Sequence, residues 1–195
     1  MKILGLDQAT TTGFAVAEGG AIVESGAWEL ADRRRTGESR GMRYVRFRQA
    51  LAEVFGRHPD IRLIVHEQTL LRGGAATEIA SGLKALILET AVNKGVEVSC
   101  VHTTELKKWA TGSGRADKAA MVEACRRRSG RDPRDDNEAD AILIALWGAE
   151  TLGTEGFGPL PAAARGGRGR PGAAGGGPAW FDRVLTSGPG APGRP

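Results

Sequence analysis

Three apolar stretches of this chain end in an acid or grow out of one, and a fold must reconcile them. Ile3-Leu4-Gly5-Leu6 runs into Asp7, and Ile61-Arg62-Leu63-Ile64-Val65-His66 runs into Glu67. Asp136-Asn137-Glu138-Ala139-Asp140 opens the strongly apolar Ala141-Ile142-Leu143-Ile144-Ala145-Leu146-Trp147. An acid at the end of a buried element is costly unless it is paired or bound to a cation. The economical solution is a fold that gathers all three around one divalent metal, and that chemistry points to phosphodiester cleavage.

The order of elements can be read from hydrophobic period and turn residues. Lys2 to Asp7 reads as a strand, Gly13 to Ala17 as a second, and Ala21 to Leu30 as a third, with Gly19-Gly20 as a hairpin turn. Ser39 to Gly56 has a helical period, Ile61 to Val65 is an apolar strand, and Thr77 to Asn93 is a helix stopped by Gly95. Val96 to Val101 is the fifth strand. Helices over Thr104 to Ala110 and Asp117 to Ser129 follow, and the last helix starts near Asp135. This β-β-β-α-β-α-β-α-α order predicts an α/β fold: a five-stranded mixed sheet, three strands antiparallel and the rest parallel, flanked by helices. It resembles the ribonuclease H-like fold, in which the first and fourth strands are neighbours, so Asp7 and Glu67 are expected to leave the same edge.

In the last helix Asp136, Asn137 and Asp140 fall at i, i+1 and i+4, on one face. Asp135 and Glu138 have the spacing of a capping box. Asp136 taken alone reads better as a cap or as a first-turn acid favoured by the helix dipole, whereas Asp140 sits where the helix becomes apolar all round. Oxygen-only ligands favour Mg²⁺ or Mn²⁺ over zinc. His66 and His102, at or beside strand ends, read as structural, and His58, ahead of Pro59, as a surface loop residue.

Thr154 to Pro195 holds 12 of the chain's 29 glycines and 7 of its 9 prolines, a composition expected to be disordered. Residues 1–153 are then the folded domain. Arginines cluster at Arg33-Arg34-Arg35, at Arg40, Arg43, Arg46 and Arg48, and at Arg126-Arg127-Arg128, Arg131 and Arg134. Beside a metal site such clusters suit a polyanionic substrate. Two cysteines supply no disulfide framework and no metal-ligand spacing. With no signal peptide and no apolar run of membrane-spanning length, the expectation is a cytoplasmic protein without a membrane partner.

Four stretches resemble the RuvC-like Holliday junction resolvases, particularly the small phage and prophage versions. They are Gly5-Leu6-Asp7-Gln8-Ala9-Thr10-Thr11-Thr12-Gly13-Phe14-Ala15-Val16, Ile64-Val65-His66-Glu67-Gln68, the segment from Lys107 to Lys118, and Asp136-Asn137-Glu138-Ala139-Asp140-Ala141. The resemblance implies a homodimeric endonuclease with two Mg²⁺ ions per active site, Mn²⁺ substituting, that resolves four-way DNA junctions by symmetric paired nicks during recombination and repair. It implies that Asp7, Glu67 and Asp140 hold metal, with Asp136 or Asn137 completing the set. Lys107, Lys108, Arg115 and Lys118 would contact DNA. The helix over 77–93, with its stripe of Ile79, Leu83, Leu86, Ile87 and Ala91, would pair the two copies. Three features depart from the family pattern. Gln8-Ala9 follow Asp7 in place of Pro-Gly, Asn137 stands where the fourth acid is usual, and Leu70 stands where many members have an aromatic wedge. The rival readings are an RNA-processing nuclease of the same fold, a DNA binder without catalysis, and an actin-like ATPase or sugar kinase, whose second nucleotide-enclosing domain this chain is too short to supply.

Overall fold

The computed structural model describes residues 1–32, 37–68 and 74–153. Arg33, Arg34, Arg35, Leu70, Leu71 and the segment from Thr154 to Pro195 lie outside them, so the expectations placed there are not addressed by the structure.

Five strands form one sheet: β1 (Lys2–Asp7), β2 (Thr11–Glu18), β3 (Ala21–Glu29), β4 (Ile61–Glu67) and β5 (Glu97–Val101), in spatial order β3-β2-β1-β4-β5. The first three are antiparallel, and β4 and β5 join in parallel. The meander turns at Gly19 and Gly20, with φ of 58° and 83°. That doubly left-handed turn matches strand twist and suits only residues without a Cβ penalty. Five helices complete the domain: α1 (Gly41–Arg57), α2 (Gly74–Lys94), α3 (Thr103–Thr111), α4 (Lys118–Ser129) and α5 (Asp136–Thr151). The expected architecture is the observed one, with helix ends shifted by a few residues.

Successive strand residues point to opposite faces, and the two cores divide by that parity. Ile3, Ala15, Ala17, Leu63 and Val65 pack with α3, α4 and α5 on one face. Leu4, Leu6, Phe14, Val16 and Ile64 pack with α1 and α2 on the other. Parity also decides where the strand-terminal acids go. Asp7 follows Ile3 and Gly5, and Glu67 follows Leu63 and Val65, so both belong to the face that α5 covers.

Helix α5 lies directly on the sheet. Its residues from Glu138 to Gly148 are buried apart from Asp140, which is half-buried. Two glycines make the approach possible. A Cβ on Gly5 would stand 2.6 Å from the Ala141 carbonyl oxygen and 2.6 Å from the Ala145 nitrogen, and one on Gly13 would overlap the Asn137 carbonyl. Gly13 is the cross-strand partner of Asp7. Backbone contact at that point therefore sets the height of Asp140 above Asp7.

Asp135 caps α5 by accepting from the Glu138 backbone N–H at 2.8 Å. The reciprocal half of the capping box is not made. Glu138 is 5% exposed, accepts from the Ser25 hydroxyl at 2.7 Å, and accepts the Arg134 backbone N–H at 2.9 Å. Ser25, 113 residues away in sequence, claims one oxygen of this carboxylate and ties α5 to β3.

The apolar stripe of α2 also differs from its expected role. Leu83, Ile87 and Ala91 are buried against the sheet, with Ile79 and Leu86 packed beside them. The outward apolar residues are Leu88 and Val92, at 45% and 53% exposure, accompanied by Met42 and Val45 of the adjacent α1. No helix among the described residues is long and apolar enough to cross a membrane.

Candidate metal centre

The site grows from the carboxyl ends of two parallel strands. Pairing of β1 with β4 runs through Leu6 and His66, which brings the next residues, Asp7 and Glu67, side by side. The register of β4 with β5 ends at Glu67 and Val101, so α3, which starts two residues later, leaves the sheet beside Glu67. The amino end of α5 covers this corner and supplies Asp140.

The charges of these acids act on one another. Burial pushes the Asp7 carboxyl well above its usual range, and the neighbouring Glu67 and Asp140, with Asp136 beyond them, push it further. Burial raises Asp140 to about 6, with Glu67 and Asp136 adding to the rise and Lys107 and Lys118 opposing it. Asp140 Oδ1 is buried without a hydrogen-bond partner. A small cavity of about 20 Å³ lies between Glu67, Thr103, Lys107 and Asp140, floored by Leu106, Met121 and Ile144. That is room for about one water-sized group.

Half-buried, mutually repelling carboxylates with an orphaned oxygen fit a cation in both charge and donor chemistry. Among the described residues no three His, Cys, Asp or Glu side chains already stand at the spacing of a finished cage. Mg²⁺ asks less than that, since it takes one or two carboxylates and fills its remaining positions with water and substrate phosphate.

The remaining expected site residues fall into three groups. Asp136 is half-exposed and paired with Lys118; the bond to that ammonium holds its carboxyl below the usual range. Asn137 is half-buried, with its carbonyl over Gly13. Lys107 leans inward, donating to the Ala116 carbonyl at 2.7 Å beside the cavity, whereas Lys108, Arg115 and Lys118 are exposed.

His66 and His102 are structural, as expected. The first is 2% exposed, lies 2.8 Å from the Glu67 carbonyl through Nδ1, and has its pKa lowered by burial. The second caps α3 by accepting from the Thr104 N–H. His58 is not the surface residue expected; its ring is 2.7 Å from Glu24 and 15% exposed. Most of the described arginines are engaged within the fold. Arg46 binds Glu38 and the Leu30 carbonyl, Arg48 binds Glu89, Arg126 binds Asp132, and Arg131 reaches the Ile22 carbonyl. Arg128 stacks on Trp109 at 3.9 Å from the ring centroid. Those arginines therefore serve the fold's own acids and carbonyls, and among the described residues Lys107 and Lys118 are the cations whose charge acts on Asp140.

Two contributors escaped the sequence reading. Thr103 donates its hydroxyl to Glu67 Oε1, and Gln8, 7% exposed, donates its amide to the Glu67 carbonyl at 2.5 Å. Gln8 was visible only as a departure from the family pattern. Thr103 gave a weaker signal, its position two residues past the strand that flanks Glu67.

No family model matches the chain. The crossover junction endodeoxyribonuclease RuvC of Rhodococcus opacus (strain B4) is 32% identical over 155 residues, covering 75% of this chain and 79% of that protein. The protein of the same name from Synechococcus sp. (strain CC9311) is 28% identical over 157 residues, covering 76% of this chain and 98% of that protein. Among solved structures, Thermus thermophilus RuvC in complex with Holliday junction substrate superposes with a TM-score of 0.66 at 22% identity, covering 79% of this chain and 97% of that one. At that identity the superposition establishes a shared fold.

Proposed function

Because this chain belongs to the RuvC family of crossover junction endodeoxyribonucleases, which are metal-dependent nucleases, we propose that it resolves four-way DNA junctions with Mg²⁺ held by Asp7, Glu67 and Asp140. The observation that carries the assignment is the convergence of these three acids on the α5 face, with one Asp140 oxygen buried and unpartnered. Asp136 is the better candidate to complete the set, because its charge acts on both Asp7 and Asp140. Two bound ions, with Mn²⁺ able to replace Mg²⁺, would activate the attacking water and stabilise the leaving oxygen.

The protein's own groups position and screen. Lys107 and Lys118 offset the negative charge of the corner and stand where backbone phosphates would approach, and Lys108 and Arg115 extend the cationic border. Lys118 would exchange Asp136 for a phosphate as DNA arrives. Two opposed strands are cut symmetrically if two copies present their sites together. The exposed Leu88 and Val92 of α2, with Met42 and Val45 of α1, supply an apolar face for that homodimer. Residues 1–153 form the nuclease unit in this reading.

The test is Mg²⁺-dependent cleavage of a synthetic four-way junction, a linear duplex and a structured RNA under the same conditions. Preferential paired nicking of the junction is expected. Equal cutting of all three defeats the resolvase reading, and cutting of the RNA alone transfers the site to RNA processing.

A further inference from the structure

The carboxylate of Glu67 is restrained from outside the acidic set. Its main-chain carbonyl is 2.5 Å from the donating Gln8 amide and 2.8 Å from His66 Nδ1. Its side-chain Oε1 accepts the hydroxyl of Thr103. Thr103 is the first residue of α3, directly after the capping His102, and it lines the cavity between Glu67 and Asp140. Lys107, one turn along α3, lines the same cavity.

We propose that Thr103 is a positioning residue for the metal centre, its hydroxyl fixing the plane in which Glu67 presents its carboxylate. The proposal rests on the metal-centre reading above. A glutamate at a strand end rotates freely about its terminal bond, and a single oriented donor on one oxygen removes that freedom. A β-branched side chain is stiff at χ1, and Leu106 and Ala110 anchor α3 in the core, so the donor itself is held. The hydroxyl also brings no charge of its own, whereas a lysine in its place would offset the carboxylate's and compete with the cation. Groups that orient metal-binding carboxylates typically account for 10- to 100-fold in metal affinity.

Thr103→Val retains shape and removes the donor, and Thr103→Ser retains the donor. The cap of α3 is His102, so neither change removes it. Mn²⁺ binding to the full-length protein, measured by calorimetry without DNA, should weaken about 10-fold or more in Thr103→Val and return to near wild type in Thr103→Ser. The Mg²⁺ concentration giving half-maximal junction cleavage should rise in parallel, with kcat recovering at saturating metal. Junction affinity in EDTA should not move, and the metal-free melting temperature should fall by no more than the loss of one hydrogen bond to a carboxylate explains. Thr103→Val binding Mn²⁺ as tightly as wild type overturns the proposal and leaves the resolvase reading standing. A wild type that binds no Mn²⁺ overturns both. A wild type that binds Mn²⁺, loses it with Thr103→Val and yet ignores four-way junctions supports the positioning role and defeats the resolvase reading.

Discussion

Asp7 and Asp140 are expensive residues in the metal-free fold, and that expense is measurable. The folded-state pKa of Asp140 is about 6 against an ordinary 3.8, and Asp7 is raised in the same direction. A raised pKa means that the folded protein prefers the protonated acid. Its contribution to stability is complete below 3.8 and is lost as pH climbs through about 6. Without metal, the melting temperature should therefore fall between pH 4 and pH 7, and Asp140→Asn should flatten that fall. The gain at pH 7 should reach at most about 3 kcal/mol, the full value of that shift, read by thermal denaturation in EDTA. A pH profile that Asp140→Asn leaves unchanged would remove the acid from the centre. The same substitution, or Asp7→Asn, should abolish cleavage while junction binding in EDTA is kept or tightened, since repulsion between carboxylate and phosphate is relieved. Gel-shift and cleavage assays on one preparation decide this, and full activity in either variant refutes the site.

At the scale of elements, the decisive contact is backbone on backbone where α5 crosses β1 and β2. Gly13→Val would force the Asn137 carbonyl outward and carry Asp140 with it. Overpacking of this kind should cost about 1–3 kcal/mol by denaturant titration and suppress cleavage beyond what the lost stability explains. Gly56, in α1 with open space around it, is the control: Gly56→Ala should stabilise by roughly 0.5–1 kcal/mol and leave cleavage alone. The strands, the helix order and the Asp135 cap were legible because each is written in local period and turn chemistry. That Asp7 and Glu67 leave the sheet at one corner was legible too, since strand parity and parallel pairing put them there. What stayed hidden was partnership across the chain. Period showed that one face of α2 is buried without saying that the sheet, rather than a second copy, covers Leu83 and Ile87. Spacing gave Glu138 to a capping box because nothing local announces Ser25. Thr103 fell between the expected strand and the expected helix, and nothing marked it until the β4–β5 register put it beside Glu67.

The described residues form an α/β/α sandwich, with the acidic corner at one end of its sheet and Leu88 and Val92 exposed on the α2 side. If α2 pairs two copies, Val92→Glu should convert a dimer to a monomer in light scattering, and paired nicking should decay into single, unlinked nicks. Persistence of the dimer would move the interface elsewhere. A chain ended after Gly153 should keep Mg²⁺-dependent junction cleavage, and loss of that activity would place part of the machinery in the segment beyond. The hairpin at Gly19 and Gly20 stands at the opposite end of β2 from Gly13, its surroundings open. Along an extended strand that end lies roughly 20 Å from the acidic corner. The turn is therefore a handle on the enzyme. A dye inserted there would sit near enough to the DNA to report its arrival by energy transfer, and far enough from the scissile phosphate to leave the cut alone.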